Sequence, residues 1–291
     1  MTSPTAFAPM PESLARYAVF GNPISHSRSP RIHGWFAEAT GQALRYEALL
    51  APVDGFAASL QAFADAGGLG CNVTVPFKFE AFALAHQASP RARLASAANF
   101  LRREGQGWWA DNTDGAGLVR DLVHNAQQTI AGSRVLLIGA GGAAAGVLGP
   151  LLAEAPAELR IVNRSPDKAL RLAASHRALA AEHGVALQAD GLDEPGSAFD
   201  LVLNASASSL AGQASPVPAK VLGSDCLAVD LMYGPAARPF LGWAAQHGAR
   251  GRDGLGMLVE QAAEAFALWR GMRPETGDVL ARLRAEVDAA A

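Results

Sequence analysis

The 291-residue sequence has only two cysteines, Cys71 and Cys226. That excludes a disulfide framework, and the pair has no metal-ligand spacing. Two reduced, packed thiols of a cytoplasmic protein are the expectation. Excess charge of either sign is missing as well. The net charge is −3 and no long basic run occurs, which excludes nucleic acid or an anionic membrane as the main partner. The seven histidines are scattered, and no pair has metal spacing with a third ligand, so no metal is expected. Long apolar runs are also lacking. Val135 to Ala153 carries no charge, but it holds five glycines and Pro150. A strand, a glycine loop and a helix account for it better than a membrane span. No basic region followed by an apolar core opens the chain, so no signal peptide is expected. Residues 1–13 hold three prolines and read as a loose tail.

What the chain does have is apolar material for two domains: half of its residues are hydrophobic. Short apolar runs alternate with helical patterns. Tyr17–Gly21 reads as a strand. Ser29 reads as an N-cap with Pro30 at the first helical position, followed by Ile32, Trp35, Phe36 and Ala39 at helical spacing. Strands at Tyr46–Leu50, Asn72–Val75 and Asn99–Arg103 and helices at Asp54–Ala66 and Phe77–His86 complete a first α/β unit. Trp108-Trp109 suggests a packed edge strand. A helix from Gly115 to Gln128 leads to a second unit, with strands at Arg134–Ile138, Leu159–Val162, Leu201–Asn204 and Leu227–Asp230. Such short apolar strands suit a buried parallel sheet. Gly251–Gly256 reads as a break, Met257–Trp269 as an amphipathic helix and Gly277–Ala289 as a last helix. The expected fold is α/β with two α/β domains. Residues 1–114 plus 254–291 form the substrate domain and 115–253 a Rossmann-type domain, the C-terminal helices packing back on the first. Gly115 and Gly251–Gly256 are candidate hinges.

Three segments carry chemistry. Val135-Leu136-Leu137-Ile138 runs into Gly139-Ala140-Gly141-Gly142-Ala143. Glycines after a strand allow a tight turn and close approach of a pyrophosphate to the next helix N-terminus. A Gly/Ala-rich packing turn is the alternative. The following strand ends in Asn163-Arg164-Ser165, with Lys168 beyond, where an NAD site ends in an acid. Two cations on one helical face and a hydroxyl suit a 2′-phosphate, so NADP is favoured over NAD. A solvated basic helix start is the alternative. The third element is split: Lys78 lies just past Asn72-Val73-Thr74-Val75-Pro76, and Asp114 closes Asp111-Asn112-Thr113-Asp114. A lysine and a carboxylate can handle a proton, or form a surface salt bridge.

Six motifs together make the chain resemble the shikimate dehydrogenase family. They are Phe20–Pro30, Asn72–Lys78, Asp111–Gly115, Gly139–Ala143, Asn163–Ser165 and Asp253–Met257, in the family's order along nearly the whole chain. The resemblance implies reversible, NADPH-linked reduction of 3-dehydroshikimate to shikimate in aromatic amino-acid biosynthesis. It implies Ser27 and Ser29 at the substrate carboxylate, and Thr74, Asn99, Tyr233 and Gln261 at its ring. Gln261 also borders the apolar stripe of its helix, where an inward amide needs partners. Lys78 is the expected proton donor and acceptor, oriented by Asp114. The resemblance adds Leu231 and Gly254 to the cofactor set. A homodimer is compatible with this reading.

Four departures stand out. Phe100 follows Asn99 where the family has threonine, and Ala207 replaces a hydroxyl residue, with Ser209-Leu210 after it. Ser89-Pro90-Arg91 occupies a loop that often carries an acid near the cofactor, and Arg238 stands where threonine is common. They bear on substrate preference and nicotinamide positioning. A quinate/shikimate dehydrogenase paralogue and a non-catalytic NADP-binding sensor are the competing readings.

Overall fold

A computed structural model describes residues 14–206, 208–209 and 215–290. The proline-bearing tail, Ala207 and Leu210 lie outside the described residues.

The first unit is built on a six-stranded mixed sheet. Its strands are β1 (Ala15–Gly21), β2 (Leu44–Leu50), β3 (Gly68–Val73), β4 (Gln87–Ala88), β5 (Phe100–Glu104) and β6 (Gly107–Asp111), in the order β2-β1-β3-β5-β6-β4. β1 pairs in parallel with β2 and β3, while β5 runs antiparallel to both β3 and β6. One face is closed by Phe20, Phe56, Phe63 and Phe77 with Leu101 and Trp108. The expected edge strand through Trp108-Trp109 is instead interior to the sheet, because two-residue β4 pairs with it from outside. Its tryptophans are covered by cations, Arg102 over Trp109 at 4.7 Å and Arg103 over Trp108 at 5.5 Å.

The other face carries α1 (Ser29–Thr40), α9 (Leu255–Arg270) and α10 (Gly277–Ala289). Ile32 and Phe36 of α1 pack with Leu255, Val259, Ala262 and Phe266 of α9 and Val279 and Leu283 of α10. The 3.6-residue repeat puts these side chains on one stripe, which is why both C-terminal helices return to the N-terminal unit. Smaller helices α2 (Phe56–Asp65), α3 (Lys78–Leu84) and α4 (Pro90–Ala95) fill the connections.

The second unit is a parallel sheet of β7 (Arg134–Ile138), β8 (Glu158–Asn163), β9 (Ala186–Gly191), β10 (Phe199–Asn204), β11 (Leu222–Asp230) and β12 (Arg250–Asp253). The order β12-β11-β10-β7-β8-β9 is that of a dinucleotide-binding sheet, and it reverses between β7 and β10. α6 (Gly142–Ala153) and α7 (Pro166–Glu182) cover one face and α8 (Arg238–Gln246) the other. The predicted break at Gly251–Gly256 is corrected: Arg250–Asp253 is a strand, held by parallel pairing of Leu227–Asp230.

Two segments carry the chain between the units. One is α5 (Asp114–Arg120), which continues into a π-helical turn at Asp121–Asn125, short of the expected end at Gln128. The other is the start of α9. Glycines let these helices approach closely. A Cβ on Gly117 would stand 2.6 Å from the Gln261 backbone nitrogen, one on Gly115 2.6 Å from the Gly146 carbonyl, and one on Gly256 within 1.9 Å of Asp121 Oδ1. The candidate hinge glycines Gly115 and Gly256 are therefore close-packing positions.

Candidate active site

β3 ends at Val73, and the chain turns through Thr74 to Phe77, where α3 begins with Lys78. β6 ends at Asp111, and a buried polar run leads to Asp114, the first residue of α5. Lys78 and Asp114 meet there. Lys78 Nζ donates to Asp114 Oδ2 at 2.5 Å, with the side chains only 13% and 8% exposed. This is a largely desolvated pair, unlike the surface salt bridge that was the alternative.

The other Asp114 oxygen, Oδ1, accepts from Asn99 Nδ2 at 2.8 Å. Asn99 Oδ1 in turn accepts the Thr113 N–H at 2.7 Å. Gln261 joins from α9, its Oε1 lying 3.2 Å from both Asn99 Nδ2 and Thr113 Oγ1. Four predicted residues, Lys78, Asp114, Asn99 and Gln261, thus form one hydrogen-bonded cluster. Thr113, fully buried, is a fifth member that its motif contains but no sequence signal singles out. Asn99 and Thr74 do not lie in strands as expected: β5 begins at Phe100 and β3 stops one residue before Thr74. Both still share the backbone ladder: the Thr74 N–H donates to the Phe20 carbonyl at 2.9 Å, and the Asn99 carbonyl accepts the Val73 N–H at 2.8 Å.

Ser29 is not the N-cap of α1. Arg28 holds that place, and Ser29 is the buried first helical residue, its N–H donating to Ser27 Oγ at 3.3 Å. Both hydroxyls lie at the start of α1, where the helix dipole favours an anion. Tyr233 follows β11 and packs against the α1–α9–α10 core. Burial pushes its phenol above the usual range, outweighing the pull of Arg28, so it stays a hydrogen-bond donor.

The glycine loop lies directly beside the proton pair. Gly139 has φ +113°, and a Cβ there would stand 3.0 Å from Ala205 carbonyl atoms, so only glycine fits without strain. Ala140 and Gly141 lead into Gly142 and Ala143, which open α6 with their N–H groups unclaimed by any side-chain cap. Asn163 ends β8 and donates to the Ser165 carbonyl at 3.0 Å. Arg164, Ser165 and Lys168 are exposed, and neither cation has an ion pair among the described residues. α7 starts at Pro166, so Arg164 and Lys168 do not share a helical face as expected; one sits in the loop, the other in the first turn. Leu231 and Gly254 touch, since a Cβ on Gly254 would stand 2.3 Å from the Leu231 carbonyl. This set fits a dinucleotide: a glycine turn, a free helix N-terminus and two unpaired cations past the second strand.

The departures are absorbed locally. Phe100 is buried and stacks on Trp269 at 4.8 Å, pointing away from the polar cluster. Ser209 donates to Asp230 and receives Asn204 Nδ2 at 3.0 Å, anchoring the loop after β10. Burial raises the Asp230 carboxyl against the donors from Ser209, Met232 and Asn204. Arg91 holds Asp111 through two bonds of 2.7 Å and Ser89 caps α4. Arg238 is the exposed first residue of α8. No group of metal ligands occurs among the described residues, and none of their helices is long and apolar enough to cross a membrane.

Three family models match in series. Residues 19–101 match the shikimate dehydrogenase substrate binding domain, 121–212 match shikimate / quinate 5-dehydrogenase, and 254–284 match the shikimate 5′-dehydrogenase C-terminal domain. The shikimate dehydrogenase (NADP(+)) of Methylibium petroleiphilum is 60% identical over 281 residues, covering 94% of this chain and 96% of that one.

This chain belongs to the shikimate dehydrogenase family.

Solved members of the same fold agree. A shikimate 5-dehydrogenase of Thermus thermophilus, crystallised with NADP(H) and shikimate, matches at TM-score 0.80 and 31% identity over 94% of this chain and 99% of that one. An enzyme of Pseudomonas putida named Ael1 matches at TM-score 0.84 and 47% identity, over 92% and 98%. The family's substrate and C-terminal models fall on either side of the dinucleotide sheet, as the return of α9 and α10 to the first unit requires.

Proposed function

We propose that this protein is an NADP-dependent oxidoreductase that reversibly reduces 3-dehydroshikimate to shikimate, a step of aromatic amino-acid biosynthesis. The single observation that carries the reading is the buried Lys78–Asp114 pair lying against the glycine loop: a Cβ on Gly142 would stand 3.5 Å from Lys78 Cβ. In this reading residues 1–114 and 254–291 make the substrate unit and 115–253 the cofactor unit. A cytoplasmic location accords with two buried free thiols.

NADPH, when bound, supplies the hydride. The Gly139–Ala143 turn and the α6 N-terminus would hold it, with Arg164, Ser165 and Lys168 for the 2′-phosphate and Asn163, Leu231 and Gly254 completing the set. Ser27 and Ser29 bind the substrate carboxylate. Thr74, Asn99, Tyr233 and Gln261 bind ring oxygens. As hydride arrives, the carbonyl oxygen must gain a proton, and Lys78 Nζ donates it. In the reverse direction neutral Lys78 takes the hydroxyl proton. Asp114 holds the ammonium in place, and Asn99, itself bonded to Gln261, keeps Asp114 from turning. Positioned acid–base groups contribute on the order of 10²–10⁴-fold.

The test is nicotinamide absorbance with shikimate or quinate against NADP⁺ or NAD⁺. Reduction with shikimate and NADP⁺ alone is expected. Comparable rates with quinate or NAD⁺ would assign the broader quinate/shikimate class. Tight NADPH binding with no turnover on either acid would overturn the reading in favour of a sensor.

A further inference from the structure

A second polar chain runs beneath the proposed site, and the chemistry of its ends fixes its direction. The Asn99 carbonyl can only accept. Asn72 lies 3.1 Å from it and must therefore present its Nδ2. Its Oδ1 then faces Tyr46 Oη, 2.7 Å away, so the phenol must be the donor. The same logic holds one residue on. The Thr113 N–H can only donate, so Asn99 presents Oδ1 to it and Nδ2 to Asp114. The result is an unbroken sequence from Tyr46 through Asn72 and Asn99 to Asp114 and Lys78. Asn72 and Asn99 are both buried, 5% and 3% exposed, so water does not replace a lost partner easily.

Tyr46 is held by stacking. The His33 ring lies parallel to it, 4.2 Å between centroids and 6° between planes, with Trp269 at 6.2 Å on a tilt. Neither His33 nitrogen has a protein partner. The imidazole therefore acts as a flat wall against one face of the phenol ring, whose hydroxyl donates to Asn72 Oδ1.

Building on the role given to Lys78 and Asp114, we infer that Tyr46 is a positioning residue for the reaction: its phenol fixes the Asn72 amide, which holds the Asn99 loop and thereby the orientation of Asp114. Tyr46 makes no hydrogen bond to Lys78 or Asp114; its phenol bonds the Asn72 amide, with the Ser29 side chain also beside it. Tyr46→Phe keeps the stacked ring and removes the donor.

The test is a cycle of Tyr46→Phe, Asn72→Ala and the double variant, with Lys78→Ala alongside. For Tyr46→Phe, kcat is expected to fall about tenfold, the scale of one lost buried hydrogen bond. The KM for NADP⁺ stays near that of the unaltered protein, while the melting temperature falls by a few degrees because the buried Asn72 Oδ1 loses its donor. The double variant turns over no more slowly than Asn72→Ala alone, because both cut the same chain. Normal kcat in Tyr46→Phe, or losses that multiply in the double variant, overturns the inference. If Lys78→Ala loses turnover while Tyr46→Phe keeps it, only the positioning role fails. If Lys78→Ala keeps turnover, the proton-pair reading falls and this inference with it.

Discussion

Gly142, the first residue of α6, lies against the side chain of Lys78: a Cβ there would meet Lys78 Cβ at 3.5 Å and Cδ at 3.6 Å. That is ordinary contact distance, so Gly142→Ala should fold and turn over. Gly142→Leu reaches further, into the gap between the turn and the lysine. It should weaken NADPH binding at least tenfold while the melting temperature holds, as read by fluorescence titration and thermal melting. Unchanged affinity in Gly142→Leu would mean that cofactor does not use this gap.

Arg164 and Lys168 are exposed and unpaired past β8. Charge-assisted hydrogen bonds are worth roughly 1.5–3 kcal/mol. Replacing either by alanine should raise the KM for NADP⁺ about 10–100-fold and leave that for NAD⁺ little changed. Equal losses for both cofactors would move these cations away from the 2′-phosphate.

Gly117 faces Gln261 with no room for a methyl group: a Cβ there would fall 2.6 Å from both the backbone nitrogen and Cβ of that residue. Gly117→Ala must push α5 from α9. Overpacking of this kind costs about 1–3 kcal/mol. The melting temperature should drop by several degrees and the KM for shikimate should rise, because Gln261 moves with its backbone. A stable variant with normal KM would show that the two helices yield without disturbing the amide.

Burial pushes the His33 imidazole down to about 3 from the usual 6.5, and His176 is lowered for the same reason. The unfolded chain therefore binds these protons more readily than the folded one. Stability from this source is complete above pH 6.5 and is lost as pH falls towards 3. His33→Phe, which keeps a flat ring, should flatten melting temperature against pH between about 6.5 and 4. An unchanged slope would mean that other groups set it.

The legible parts of the fold were those whose residues state their own environment. β7 and β10 are apolar because both their faces are covered, and α9 shows one stripe because one face is. β9 and β12 did not stand out. β12 is Arg250-Gly251-Arg252-Asp253, an edge strand defined by its pairing with β11 and not by its side chains. The site divides in the same way. Lys78 and Asp114 sit in motifs and Gln261 on an identifiable helix face, while Asn99 is singled out only by the family resemblance. Tyr46 looks like an ordinary strand residue, and Asn72, although it opens a motif, does not reveal this partner, because their bond joins two strands that both flank β1, which no local pattern announces.

The packing of α1 against α9 and α10 sets an order of events during synthesis. Ile32 and Phe36 leave the ribosome long before their partners Leu255, Val259, Val279 and Leu283. At roughly 5–20 residues per second, the interval is on the order of ten to forty seconds. Throughout it the amino-terminal half exposes an unfinished hydrophobic face while the dinucleotide sheet is being made. A chain stopped before Leu255 is thus an aggregation-prone fragment rather than a shortened enzyme.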